Sequence, residues 1–138
     1  MLRAVADTNV VVSALLWRGA PHRLFGRIEP ERIELYSSRA LLAELEDVLA
    51  RRKLARAVRA TGKTVPALLS EYRALVRLVT PRVLATPAAR DPDDDAVIAC
   101  ALAARAQLIV SGDKDLRALR AFGAIRIVSP AEALQLVG

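Results

Sequence analysis

Short, continuously apolar segments alternate with segments of helical periodicity along the whole chain of 138 residues. The apolar segments at residues 2–6, 33–36, 108–110 and 125–128 predict strands, and the stretches between them predict helices. Strands that are apolar throughout are typical of a parallel sheet with helices on both faces. The pattern therefore predicts an α/β fold, and the length fits a single domain over residues 1–138.

Capping residues set the expected bounds of the helices. Ser37 or Ser38 is predicted to cap a helix that runs to about residue 53, and another helix is predicted over residues 64–78. Residues 81–87 predict a short extended connection to an apolar helix that begins near residue 91 and ends near residue 105. Ser129 and Glu132 form a capping-box pattern for a final helix.

Composition limits the compartment and the partners. The single cysteine excludes an internal disulfide and favours a reducing cytoplasm, and no apolar run approaches the roughly 20 residues that span a bilayer. Asp7 interrupts the N-terminal apolar stretch too early for a signal peptide. The net charge is +6, and of 21 basic residues only Lys53, Lys63 and Lys114 are lysines. Because arginine binds phosphate in a bidentate manner, a nucleic-acid partner is one explanation, and a compositional preference for arginine on a solvated surface is the other.

Two aspartates follow predicted strands directly. Asp7 comes after residues 2–6, and Asp113 comes shortly after residues 108–110. In a parallel sheet, ligands bind beyond the carboxyl ends of the strands, so both side chains are expected on the same rim.

Further acids lie on predicted helices. Glu44 and Glu46 lie on opposite flanks of the apolar stripe of their helix, and periodicity does not choose between them. Asp94 and Asp95 both share a helix face with Ile98 and Leu102, whereas Asp93 points away and Asp91 is the expected cap. Acids are also common in the first turn of a helix for purely structural reasons, because they complement the helix dipole.

Convergence of these acids would require a cation, or the protonation of some of them. Two like charges about 4 Å apart repel by roughly 4 kcal/mol at an effective dielectric constant near 20. Carboxylates suit a hard cation such as Mg²⁺ or Mn²⁺, whereas one Cys and one His make a zinc site implausible. The single histidine, His22, also excludes a two-histidine ribonuclease mechanism, and Cys100 lies in an apolar helix that does not suit a nucleophile.

Four segments, taken in order, resemble the motifs of PIN domains. "VADTNVVVSALL" is similar to their first strand, which ends in Asp, and "LLAELEDVL" is similar to their helix with an inward Glu. "DDDAVIACALA" resembles their third acidic motif, and "LIVSGDKDL" resembles the strand that precedes their last acids. The set covers essentially the whole chain, and it is most similar to the small stand-alone PIN proteins of the VapC kind, the toxins of toxin–antitoxin pairs.

The resemblance implies a site and an activity. It selects Asp7, Glu44, Asp95 and Asp113 as the acids that hold Mg²⁺ or Mn²⁺ and carry catalysis. It also implies supporting roles for a set of polar residues near these acids, namely Thr8, Asn9, Ser111 and Asp115. The implied fold is a three-layer α/β/α sandwich around a parallel sheet of about five strands. The implied protein is a metal-dependent endoribonuclease, a homodimer with a small antitoxin partner. The composition adds a cytoplasmic location and no membrane association.

The densest basic cluster is the predicted contact surface for RNA, although a solvated helix end explains it equally well. It consists of Arg51, Arg52, Lys53, Arg56 and Arg59. Two other functions compete with the ribonuclease. A haloacid-dehalogenase-like phosphatase fits the strand-end Asp7, but that class needs a second Asp at the position that Asn9 occupies. A PIN-like module that binds RNA or protein without cleaving is the second.

Overall fold

The computed structural model describes residues 2–28, 32–81 and 92–138, without the side chains of residues 92, 93 and 115. The predicted cap at Asp91, the orientation of Asp93 and most of the extended connection over residues 81–87 therefore lie outside the described residues. Within them the elements are β1 (Leu2–Ala6), α1 (Thr8–Leu16), α2 (Ala20–Gly26), β2 (Ile33–Ser37), α3 (Arg39–Leu49), a 3-10 turn (Arg52–Leu54), α4 (Ala55–Ala60), α5 (Val65–Leu75), β3 (Val76–Leu78), α6 (Pro92–Ala104), β4 (Leu108–Val110), α7 (Lys114–Ala118), β5 (Ala121–Phe122), β6 (Ile125–Val128) and α8 (Pro130–Val137).

The described strands form one mostly parallel sheet flanked by helices, as the sequence predicts. Its six strands lie in the order β3-β2-β1-β4-β6-β5. Neighbouring strands are parallel except for β5, which pairs antiparallel with β6, so the implied sheet of about five strands gains one short antiparallel edge. The chain builds outward from β1 to β3 on one side and continues with β4 on the other. The boundary between β1 and β4 is therefore the topological switch point, where such sheets bind ligands.

Alternating side chains of the central strands supply two separate cores. Ala4 and Ala6 of β1 pack in one cluster with most of the buried residues of α1, α3 and α5, whereas Val5 packs in the other together with Leu41 of α3. In β4, Ile109 joins the second cluster, with the buried residues of α6. Burial on both faces explains why these strands are apolar throughout.

Two predicted helix bounds are wrong. The helix predicted over residues 64–78 ends at Leu75, and the chain continues as β3 because Val76 pairs with Leu35 of β2. The helix predicted to reach residue 53 ends at Leu49, since Arg51 has an extended backbone (ψ 140) that starts a separate 3-10 turn. The strands at residues 2–6, 108–110 and 125–128 and the capping box of Ser129 with Glu132 are confirmed.

Ile109 offers a test of the second core. Its side chain is 0% exposed in a central strand, so Ile109→Ala should lower the free energy of unfolding by about 2–5 kcal/mol, whereas Ile109→Val should cost only about 0.5–1.5 kcal/mol. Urea denaturation followed by circular dichroism measures both values. Equal losses in the two variants would show that β4 does not pack against α6 as described.

Candidate active site

Polar residues occupy one row beyond the carboxyl ends of the parallel strands. Val5 pairs with Tyr36, Ala6 with Val110 and Val110 with Val128, so the register brings Ser38, Asp7, Ser111 and Ser129 side by side. Three of the four begin helices. The side chains of Asp7, Ser38 and Ser129 accept hydrogen bonds from backbone N–H groups in the first turns of α1, α3 and α8. The rim of the sheet is therefore also the place where helix N-termini gather.

Asp7 is fixed through both carboxylate oxygens. Its Oδ1 accepts a hydrogen bond from the backbone N–H of Val10 at 2.9 Å, which caps α1. Its Oδ2 accepts a hydrogen bond from the hydroxyl of Ser111, beyond the end of β4. The backbone N–H of Asp7 donates to the carbonyl of Val110 at 3.0 Å. The carboxylate is consequently held in one orientation at the switch point between β1 and β4.

Ser111 forms hydrogen bonds with both strand-end aspartates. Its hydroxyl oxygen accepts a hydrogen bond from the backbone N–H of Asp113 at 2.9 Å while the same hydroxyl donates to Asp7. Asp113 in turn caps α7, because its Oδ1 accepts from the backbone N–H of Leu116 at 3.0 Å. One buried hydroxyl therefore fixes the distance between two elements that each present a carboxylate.

Burial makes the charge on Asp7 costly. Asp7 is only 6% exposed, and this desolvation raises the pKa of its carboxyl group. The hydrogen bonds from Ser111 and Val10 act in the opposite direction, and the negative charge of Asp113 raises the pKa further. A buried carboxylate beside a second carboxylate is a configuration that a bound cation stabilises.

Acids from four helices or strand ends line one small polar cavity at this rim. The cavity has a volume of about 80 Å³, and its described lining is Asp7, Thr8, Asn9, Glu44, Asp94, Val97 and Asp113. Glu44 thus lines the cavity, and Glu46 on the other flank of α3 is exposed. Of the two α6 acids that periodicity leaves open, Asp94 lines the cavity and Asp95 is not among the lining residues.

The supporting residues lie in different environments. Thr8 is buried and Asn9 is exposed, and both line the cavity. Ser111 is fully buried behind Asp7, whereas the side chain of Asp115 lies outside the described residues. Arg51, Arg52, Lys53 and Arg56 are all exposed on the 3-10 turn and its flanks, beyond the end of the helix that carries Glu44.

Comparison with protein families identifies the family to which this chain belongs. A family model described as PIN domain matches residues 3–115, a range that includes the strand-end acids, α3 and α6. The chain belongs to the PIN domain family. PIN domains are generally nucleases.

A solved structure has the same fold. The PIN domain described here is similar to the crystal structure of FitAcB from Neisseria gonorrhoeae, with a TM-score of 0.59 and 16% identity over 93% of this chain and 98% of that one. At this identity the likeness concerns the fold alone. No curated protein matches the chain. In the described parts of this PIN domain, no helix is long and apolar enough to cross a membrane.

The cavity of this PIN domain has the donor chemistry of a divalent-cation site. Its described carboxylates offer only oxygen ligands, the type that Mg²⁺ and Mn²⁺ prefer, and no His or Cys belongs to the described lining. Within residues 2–28, 32–81 and 92–138, no three of these side chains already form a group that could hold a metal ion. The acids share a cavity without forming a coordination shell. The cavity therefore fits a divalent cation in the type of its ligands and in their location.

The sequence gives no direct signal for a buried polar layer behind the rim. Among the described residues, the buried polar side chains are Asp7, Thr8, Ser37, Ser38 and Ser111, and all of them lie at or just beyond strand ends. Ser37 also hydrogen-bonds the side chain of Tyr72, whose pKa is raised by burial. The row becomes visible only from the register of the sheet, because the sequence marks Ser38 only as a possible helix cap and Ser111 only through the family resemblance.

The raised pKa of Asp7 makes a prediction about stability in EDTA. The folded state holds a proton on Asp7 more tightly than the unfolded chain does, so wild-type stability falls as the pH rises through that pKa. Asp7→Asn keeps an oxygen that caps α1 but carries no charge. The variant should therefore become progressively more stable than the wild type as the pH rises from below about 3.9 to neutrality.

Thermal melts of both proteins across this pH range measure the difference. Asp47→Asn is the matched control, since it removes the same charge from an exposed position on α3 away from the cavity lining. A constant difference between wild type and Asp7→Asn at every pH would contradict the burial argument.

Proposed function

We propose that this PIN domain is an endoribonuclease that depends on Mg²⁺ or Mn²⁺ and is the toxin of a toxin–antitoxin pair of the VapC kind. The observation that carries the proposal is the cavity at the switch point, where Asp7, Glu44 and Asp113 meet an acid from α6. Membership of the PIN family favours phosphodiester cleavage over the phosphatase alternative. The net charge of +6 supports a polyanionic substrate, because it attracts phosphates from a distance.

The residues of this chain have separate tasks in the proposed reaction. A bound divalent cation would supply an activated water and neutralise charge on the phosphate. Asp7, Asp113 and the α6 acid would hold that cation, with Glu44, which also lines the cavity, as a direct or water-mediated ligand. Ser111 keeps Asp7 in one orientation, so the carboxylate does not have to reorganise during the reaction. Thr8 and Asn9 line the same cavity and can donate hydrogen bonds to phosphate oxygens.

The proposed RNA path leads away from the acids along α3. Glu44 lies within α3, which ends at Leu49 and is followed directly by the exposed basic segment of Arg51, Arg52, Lys53 and Arg56. An RNA strand with one phosphate in the cavity would meet these side chains further along its backbone. Contacts of this kind give affinity without sequence preference.

The proposed cellular role comes from the resemblance to stand-alone PIN toxins. It includes a cytoplasmic location, a homodimer and a small antitoxin that blocks cleavage. A neighbouring reading frame that encodes a small DNA-binding protein would support this role, and coexpression of that protein should suppress cleavage by the purified pair.

Cleavage assays test the activity. Purified protein should cut RNA in the presence of Mg²⁺ or Mn²⁺ and stop in EDTA. Asp7→Asn should lower the rate by about two or more orders of magnitude, since it removes a charged ligand while keeping the cap of α1. Activity in EDTA, or full activity of Asp7→Asn, would refute the metal-dependent mechanism.

Glu44 and Glu46 form a matched pair for the same assay. Glu44→Gln should slow cleavage strongly because its carboxylate lines the cavity, whereas Glu46→Gln removes the same charge from an exposed site on α3 and should be nearly neutral. Cleavage that is intact in both variants would exclude Glu44 from the site. Binding of RNA without cleavage by the wild type would favour the non-cleaving module.

The basic segment is tested by the salt dependence of RNA binding. Replacing Arg51, Arg52 and Arg56 with Ala should weaken binding and reduce the slope of log K against log salt by about 2, as each lost phosphate contact removes about 0.7 from the slope for single strands. The control replaces Arg18, Arg23 and Arg126, which are also exposed, and changes the net charge equally. Equal slopes for the two triple variants would assign the segment to a solvated surface.

A further inference from the structure

An exposed aromatic side chain lies at the corner between α1 and α2. Trp17, the one tryptophan of the sequence, is 50% exposed, and among the described residues it packs into neither hydrophobic core. The other large hydrophobic side chains that are exposed in the described parts of the chain are all leucines. Aromatic rings with an accessible face bind the bases of single-stranded nucleic acids by stacking. The corner is therefore a candidate contact for RNA.

The backbone around Trp17 is fixed by hydrogen bonds. The N–H of Trp17 donates to the carbonyl of Ser13 at 3.0 Å, which closes the last turn of α1. In α2, the Nδ1 atom of His22 donates to the carbonyl of Ala14 at 3.0 Å, so the start of α2 is held against the same turn of α1. The backbone that carries the indole therefore loses little conformational freedom when a base stacks on it.

One face of α1 leads from the cavity to Trp17. Asn9 is exposed and lines the cavity, and Ser13, four positions further along the chain, is half-buried on the same face. Trp17 follows Ser13 by the same spacing. At about 1.5 Å per residue, Asn9 and Trp17 lie about 12 Å apart along the helix axis. About three or four stacked nucleotides, at roughly 3.4 Å each, cover this length.

The charge along this face suits a polyanion. Residues 8–28 contain no Asp or Glu, so no carboxylate of this segment repels a phosphate beside Trp17. The positive net charge of the whole chain acts in the same direction. The positions that precede Trp17 on the face, Asn9 and Ser13, are polar, whereas the centre of an interface with a protein partner is apolar. These features favour RNA over a protein as the ligand of the corner.

We infer that Trp17 stacks on a base of single-stranded RNA, a few nucleotides from the phosphate at the cavity. The inference rests on the proposed function and adds a contact to the base where the basic segment contacts the phosphates. Such a contact also favours unpaired RNA over a duplex, because bases in single strands can be splayed out and stacked on an aromatic side chain.

The fluorescence of Trp17 measures this contact directly, because the chain has no other tryptophan. The Asp7→Asn variant should not cut RNA and is used with Mn²⁺ and an oligoadenylate of about ten nucleotides, within the site sizes of single-strand-binding proteins. The RNA should quench the indole with the same midpoint that fluorescence polarisation of labelled RNA gives for binding. An oligonucleotide of equal length and charge without bases should bind through its phosphates and leave the indole unquenched.

Two substitutions at Trp17 separate stacking from electrostatics. Trp17→Ala should weaken RNA binding by about five- to one-hundred-fold, the loss of one stacked base, whereas Trp17→Phe keeps an aromatic face and should change it by less than about threefold. Neither should alter the slope of log K against log salt, because stacking releases no counterions. Leu102→Ala is the matched control, since Leu102 is 45% exposed on α6 and its loss should leave RNA binding unchanged. Circular dichroism verifies that each variant is folded.

RNA binding without quenching, or equal RNA affinities of Trp17→Ala and the wild type, would overturn the inference. Loss of a protein partner by Trp17→Ala with RNA affinity intact would overturn it as well and assign the corner to protein docking. If the wild type cleaves RNA with Mn²⁺ in either case, the proposed function stands without the stacking contact. If RNA quenches Trp17 but the wild type does not cleave, the stacking contact stands and the proposed function fails.

Discussion

The buried carboxylate of Asp7 is the constraint on which the arrangement of the rim at the carboxyl ends of the strands depends. One of its oxygens caps α1 through Val10 and the other accepts a hydrogen bond from Ser111, so a strand end, a helix start and a neighbouring strand are fixed by one side chain. A buried carboxylate without hydrogen-bond partners would cost several kcal/mol, because its charge would be desolvated without compensation. The hydrogen bonds offset part of that cost, and the remaining desolvation raises the pKa of Asp7.

Local signals in the sequence predict the elements that local interactions determine. The apolar strands at residues 2–6, 108–110 and 125–128 and the capping box of Ser129 follow from short patterns. β3 was not predictable in this way, since residues 76–78 continue the apolar periodicity of α5 and become a strand by pairing with β2. β5 has two residues, too few to carry a pattern, and exists because it pairs with β6.

The residues of the candidate site also fall into those that the sequence predicts and those that depend on packing. The topology rule for parallel sheets predicts Asp7 and Asp113 from the sequence, and both line the cavity. Helical periodicity leaves Glu44 and Glu46 open, as it does Asp94 and Asp95, because each choice depends on what packs against α3 or α6. The resemblance and the cavity agree on Glu44 and differ on the α6 acid. The difference concerns only which acid lines the cavity: Asp94 is among the described lining residues and Asp95 is not.

The hydrogen bond between Asp7 and Ser111 joins residues that are 104 positions apart in the chain. A ribosome therefore releases most of the domain before the second half of the rim exists, and contacts of such long separation form slowly. A nascent or prematurely terminated chain has the N-terminal carboxylate but not the strand that orients it. Synthesis itself thus delays assembly of the rim until the C-terminal part of the chain, which carries Ser111 and Asp113, has been made.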